Sequence, residues 1–207
     1  MTAAQHARLL GVAMIALVAL AMAGCGTTAP SRFYTLDATA TASNVQPLAH
    51  TAVIVGPVTI PAAVDQPQFV VQVAANRVDV DEFNRWAAPL NDSIARAVAG
   101  DLAAQLGTPE VATAPMANFA PDYAVTIDVQ RFESYRGQAA EIDAVWVVRQ
   151  TTNGHTRSGR TVAQEPVSGD GFDALAAAHS RALQRLSADI ATAIRAQAVK
   201  SQPNSSD

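Results

Sequence analysis

The chain's only cysteine, Cys25, stands one residue behind the run Leu9 to Ala23, which holds no charged and no hydrogen-bonding side chain. One cysteine forms no internal disulfide and cannot build a thiolate zinc site or an iron–sulfur cluster. Whatever folds after it must therefore be held by buried apolar surface. With 207 residues, 49% of them apolar, the chain has enough for the core of one ordinary domain, although many of those residues are alanine and the bulky anchors have to be found one by one. Lys and Arg number 14 against 18 Asp and Glu, a formal charge of −4. That balance lacks the cation excess needed to neutralise phosphates, so nucleic acid is not an expected partner.

The N-terminus has the layout of a secretory signal: a polar start carrying Arg8, then the apolar run, then small residues. The run is shorter than the ~20 residues a helix needs to cross a bilayer, which disfavours an uncleaved anchor. Met22-Ala23-Gly24-Cys25 resembles a bacterial lipobox, with Met where Leu is usual. The resemblance implies cleavage after Gly24, a diacylglycerol thioether on Cys25 and acylation of the new amino terminus. An inert buried thiol is the alternative reading of Cys25. Several acyl chains on one residue hold a protein at a membrane where a single chain holds it only marginally. Gly26 rather than Asp follows the cysteine, which by resemblance to enterobacterial sorting favours the outer membrane. The expected organisation is a signal peptide over 1–24, a lipidated N-terminus and leash over 25–31, a folded domain over 32–199 and a polar tail over 200–207.

Within the domain, Arg32 to Leu36 has the aromatic and branched content of an edge strand, and Ala38 to Leu48, lacking any apolar period, reads as a loop. Thr51 to Gly56, continued by Val58 to Pro61, is a β-branched extended run. Phe69 to Val73 and Arg77 to Val80 predict a hairpin turning near Asn76. Leu90, Ile94, Val98, Leu102 and Leu106 then recur every four residues up to Gly107 and Pro109, an amphipathic helix. Val111 opens a short extended piece, and Tyr123, Val125, Ile127 and Val129 alternate with polar residues as a half-buried strand does. Ile142 to Arg149 is a more continuous strand, and Asn153-Gly154 supplies a positive-φ pair for a tight hairpin returning through Thr161-Val162. A second, longer helix opens near Asp170-Gly171 and carries Phe172, Leu175, His179, Leu183, Leu186, Ile190 and Ile194 on one stripe. The fold class this predicts is α/β: a single domain with a mixed, twisted β-sheet of about five to seven strands packed by two principal helices.

The sequence contains no nucleophile elbow, phosphate loop, HExxH or dinucleotide fingerprint. His50, His155 and His179 lack the spacing of metal ligands, and His179, on an apolar helix stripe, reads as a core or interface histidine. Gly169-Asp170-Gly171 offers too few oxygens for calcium and suits helix capping better. No cofactor, no metal and no catalytic residue is expected. Ser158 and Ser168 lie near glycines but without a nucleophile's setting.

One cluster does stand out, Phe83-Asn84-Arg85-Trp86-Ala87-Ala88-Pro89-Leu90, directly before the first helix. Trp86 would plug the open end of the core, and Arg85 would snorkel or pair with Asp81 or Glu82. Trp and Arg also anchor interfaces more often than other residues, so Arg85, Trp86, Pro89 and Leu90 are the candidate partner contacts.

Taken in order, Arg32-Phe33-Tyr34-Thr35-Leu36, Val55-Gly56-Pro57-Val58-Thr59-Ile60-Pro61, Asn76-Arg77-Val78 and Arg85-Trp86-Ala87-Ala88-Pro89-Leu90 resemble the ABC-type transport auxiliary lipoprotein family, the PqiC-like group. The helix opening Gly171-Phe172-Asp173-Ala174-Leu175 and containing Ala178-His179-Ser180 is similar too, while Ala88 replaces an expected acidic residue. The resemblance implies a non-enzymatic lipoprotein at the outer membrane, facing the periplasm. It implies as partners a Mce-domain protein with its ABC permease and ATPase, in lipid transport between two membranes, and self-association as a further contact. The rivals are a lipoprotein hydrolase acting through Ser158, Ser168 or His179, a periplasmic lipid carrier, and a purely structural envelope lipoprotein.

Overall fold

The computed structural model describes residues 29–42 and 45–201, and from Ser31 onward they belong to one compact unit. Cys25, the apolar run before it and residues 202–207 lie outside the described residues. The elements are β1 (Arg32–Tyr34), β2 (Val53–Thr59), β3 (Gln68–Ala74), β4 (Arg77–Trp86), α1 (Leu90–Leu106), β5 (Val111–Thr113), β6 (Tyr123–Tyr135), β7 (Ala139–Gln150), β8 (Thr156–Pro166) and α2 (Phe172–Ser201). The mixed α/β class is as expected. The strands, eight among the described residues, divide between two sheets where one was expected: a larger sheet ordered β5-β2-β6-β7-β8 and a smaller one ordered β1-β4-β3.

In the larger sheet β2 lies parallel to both β5 and β6, while β6, β7 and β8 form an antiparallel meander. The register of β2 against β6 shifts between Val55 and Val58, where Pro57 has no N–H to give the ladder. Both helices pack on this sheet and on each other, α1 over β2 and β5 and α2 over β7 and β8. The stripe Leu90, Ile94, Val98, Leu102 and Leu106 is buried along α1, as are Leu175, Leu183, Leu186, Ile190 and Ile194 along α2. Gly107, at φ 68, ends α1 in the left-handed conformation and donates its N–H to the Ala103 carbonyl.

Three local expectations need correction. The second strand of the 70s hairpin is longer than the expected Arg77 to Val80: β4 runs on to Trp86, so Arg85 and Trp86 are strand residues. The β7–β8 turn is wider than a two-residue hairpin: only Gly154, at φ 72, takes positive φ, and Asn153 instead accepts the His155 N–H on its side-chain oxygen. Lys200, assigned to the polar tail, still belongs to α2. The acid within the first turn of that helix is Asp173.

Candidate functional site

The end of β4 is where the two sheets meet. Asp81 Oδ1 accepts hydrogen bonds from the backbone N–H groups of Phe83 and Asn84 and from Asn84 Nδ2. The turn this makes accounts for the register jump against β3, where Phe69 faces Asp81 but Gln68 already faces Arg85. Beyond it Trp86 points into the core and is 5% exposed. Its indole stacks on Phe69 at 4.0 Å between centroids and meets Phe132 edge-on at 6.0 Å. Phe69 touches Phe172 at 5.1 Å and Tyr34 at 5.4 Å, so rings from β1, β3, β4, β6 and α2 form one chain across the junction. Trp86 is the core plug that its composition suggested.

Arg85 pairs with neither Asp81 nor Glu82 through a carboxylate; its Nε donates to the Glu82 carbonyl at 2.9 Å. It is half-buried, and across the parallel ladder it stands beside Phe33 of β1. Pro89 is exposed, while Leu90 is buried on the first turn of α1. Together Trp86 to Leu90 and Asp65 to Pro67 line a groove of about 350 Å³. The four contact candidates thus split: Trp86 and Leu90 form the floor, Pro89 the rim, and Arg85 lies next to it on the outer side of β4.

The aromatic chain ends on His179. The imidazole is fully buried, stacks on Phe132 at 3.9 Å with planes 7° apart, and its Nε2 is 2.8 Å from Ser134 Oγ. Burial pushes its pKa down to about 3, so it is neutral at physiological pH. Sequence reasoning missed Ser134. The alternation of β6 faces Val125, Ile127 and Val129 inward, and a register shift between Val129 and Arg131 changes the phase so that Phe132 and Ser134 face inward instead. A Ser–His contact invites a hydrolase reading, but Ser134 is 2% exposed and the ring's Nδ1 meets no carboxylate that would orient it. Ser158 and Ser168 are exposed and are not His179's partners. His50 and His155 are exposed as well, and among the described residues no three His, Cys, Asp or Glu side chains converge as a metal site would require.

A buried acid organises the chain between β1 and β2. Asp101 on α1 is fully buried, and its Oδ1 accepts the backbone N–H groups of Thr39 and Ala40, each at 2.8 Å. Burial raises its pKa against the opposing pull of those two hydrogen bonds. The Asp37 N–H adds a bond to Ser180 Oγ, and Arg195 binds the Gln46 carbonyl. At Gly100 a Cβ would fall 2.6 Å from the Ala38 Cβ, so glycine lets this strap lie against α1. Residues 37–42 and Gln46, in a stretch that reads as a loop by pattern, are fastened to both helices.

The model of a family described as ABC-type transport auxiliary lipoprotein component matches residues 34–191. No curated protein matches the sequence. Among solved structures, a Xanthomonas campestris protein of the DUF330 family superposes with a TM-score of 0.68 at 23% identity, covering 83% of this chain and 100% of that one. A second crystallised protein, itself uncharacterised, gives 0.65 at 20% identity over 80% and 99% of the two chains. At these identities the likeness is one of fold. A PelC dodecamer from Paraburkholderia phytofirmans, at 0.40 and 13% identity over 71% and 94% of the chains, is too distant to carry an argument.

Proposed function

Since the chain belongs to the ABC-type transport auxiliary lipoprotein family, we propose that it is the outer-membrane, periplasm-facing docking component of a Mce-type lipid transporter, anchored through Cys25. The observation that carries this reading is the family match over residues 34–191, which starts nine residues after a lipobox-like cysteine. Membership makes the chain an auxiliary component of an ABC transport system, and such a component acts by contact. Among the described residues no helix is long and apolar enough to cross a membrane, in keeping with attachment by a lipid at the N-terminus.

In this reading the domain has no catalytic step. The burial of Ser134 and His179 supports that, because a nucleophile and base sealed beneath the aromatic chain meet no substrate. Docking falls to the outer side of β4 and the groove below it: Arg85 and Pro89 face the partner, and Trp86 and Leu90 give the groove its shape. The partner is a Mce-domain protein with its permease and ATPase, and a second copy of the chain is a further contact. The test is recovery of the lipoprotein from solubilised membranes. Co-purification of a Mce-domain protein is the expected result, and repeated recovery without any transporter component would defeat the proposal.

A further inference from the structure

We propose that β8 takes the first half of β4 from a second copy of this chain, so that copies join edge to edge and head to tail. This gives a place to the second-copy contact of the proposed function. It rests on that reading only for a second copy being a partner, and it holds whichever transporter is the other.

β8 is the last strand of the larger sheet and pairs with β7 over all 11 of its residues without a bulge. The two ends of this ladder fix its hydrogen-bond phase. At one end the Gln150 N–H donates to the His155 carbonyl, and at the other the Val167 N–H donates to the Gln138 carbonyl. Odd-numbered residues of β8 therefore bond β7, and Thr156, Ser158, Arg160, Val162 and Gln164 turn their N–H and C=O groups out of the sheet. Pro166, at the next outward place, has no N–H, and its carbonyl accepts Arg181 Nη2. Among the described residues no strand covers the five before it. Long, flat edges are usually guarded by a bulge or by a charge standing along the edge. On β8 that charge is turned away: Arg160 is drawn back over β7, its Nε 2.8 Å and its Nη2 2.7 Å from the Asp143 carboxylate oxygens.

The matching edge lies on the same chain. β1 covers β4 only from Asn84 to Trp86, so from Arg77 to Phe83 the side of β4 away from β3 has no strand beside it among the described residues. This stretch is acidic, with Asp79, Asp81 and Glu82 against Arg77. The β8 edge offers Arg157, which is exposed and meets no carboxylate among the described residues. The two strands also match face by face. Val78 and Val80 share one face of β4, opposite Gln72 and Val70, while Asp79 and Asp81 share the other. On β8, Val162 is 57% exposed on the side that the helices leave open, and Arg157 is on the helix side, opposite the buried Val148. Laid beside β8 with its valines on the open side, β4 brings Val78 and Val80, 47% and 46% exposed, to Val162. The same placement brings Asp79 to the helix side, where Arg157 stands. Like edges repel instead: β8 on β8 gathers arginines, and β4 on β4 gathers Asp79 and Glu82. A contact made by different surfaces on the two copies repeats, and so assembles more than two. Arg85, in the part of β4 that β1 covers, takes no part and stays open to the transporter.

The experiment counts copies of the full-length protein, purified from membranes in detergent, by native mass spectrometry. One variant spoils β8: Arg157→Glu with Ser158→Pro, the proline removing an outward N–H and no bond to β7. The other spoils β4: Asp79→Lys with Glu82→Lys, which leaves Asp81 and its turn intact. The parent should fly as more than two copies and each variant alone as a single copy. Mixed together, the two variants should form a pair holding one of each, because each still supplies one sound edge. If the proline variant melts below the parent, Arg157→Glu alone takes its place. A single-copy parent overturns the inference. So does either variant that still pairs with itself, which would put like edge on like edge, and so do two variants that form no mixed pair. Recovery of the transporter is read separately by co-purification, so failure here leaves the docking reading standing.

Discussion

His179 shows how a titratable side chain becomes part of a core. Flanked by Phe132 and Trp86 and bonded to Ser134, it has no route to water, and burial holds its pKa near 3. Below about pH 6.5 an unfolded imidazole takes up a proton that the folded one refuses, so stability is complete above that pH and declines as pH falls toward 3, by up to about 1.4 kcal/mol per unit. Denaturant unfolding at pH 7.5 and pH 5 should show this loss, and His179→Leu should flatten it even though the variant is less stable overall. A pH dependence unchanged in that variant would assign the effect to other groups. Gly159 makes a simpler case. A Cβ there would fall 2.2 Å from the ring of Trp146, its cross-strand neighbour, whose Nε1 is bonded to Thr161. Gly159→Ala must displace the indole, and a loss of roughly 1–3 kcal/mol, typical of overpacking, is expected in thermal or denaturant unfolding.

Elements were legible in the sequence where one face is buried and one is wet. The stripes of α1 and α2 and the alternation of β6 are of that kind, because burial selects residues at the period of the backbone. β4 was cut short because Asp79, Asp81, Glu82 and Asn84 are poor strand formers and both its faces are partly exposed, so no alternation announces it. The division into two sheets was hidden for another reason: it depends on the pairing of β1 with β4, some fifty residues apart, which no local pattern records. The contact candidates were legible as a cluster, yet which of them face outward was decided by the turn at Asp81. The strap was legible only as a stretch without period; what fastens it is Asp101, an acid that the neighbouring apolar stripe conceals. Asp101→Ala leaves the Thr39 and Ala40 N–H groups without their acceptor and should cost about 2 kcal/mol or more, with faster proteolysis within 37–42. Asp101→Asn keeps a carbonyl oxygen and avoids burying a charge, so it should cost less. Equal losses in the two variants would show that the carbonyl oxygen is not what holds the strap.

At the scale of the whole molecule, the proposed function assigns anchoring, folding and docking to different residues, so the three can be separated by substitution. If Cys25 carries the anchor, Cys25→Ser removes the acceptor thiol and should abolish incorporation of labelled palmitate and leave a soluble or uncleaved precursor; normal labelling would refute the lipobox reading. Trp86→Ala opens a cavity among five elements and should cost roughly 3–5 kcal/mol, a large part of the ~5–15 kcal/mol that holds a domain together, so any loss of docking would follow from unfolding. Arg85 is the informative position because its Nε bonds the neighbouring Glu82 carbonyl and its side chain stands outside the core. Arg85→Ala should therefore melt like the parent and remain acylated. If β4 is the docking side, the variant should nevertheless bind its transporter partner more weakly by roughly 1–2 kcal/mol, about a five- to thirtyfold rise in Kd. The three variants form a pattern that no single defect reproduces: Cys25→Ser loses the membrane, Trp86→Ala loses the fold, and Arg85→Ala loses only the partner. Full partner recovery by a stably folded, acylated Arg85→Ala protein would move the docking surface elsewhere, while leaving the anchor and the family assignment untouched.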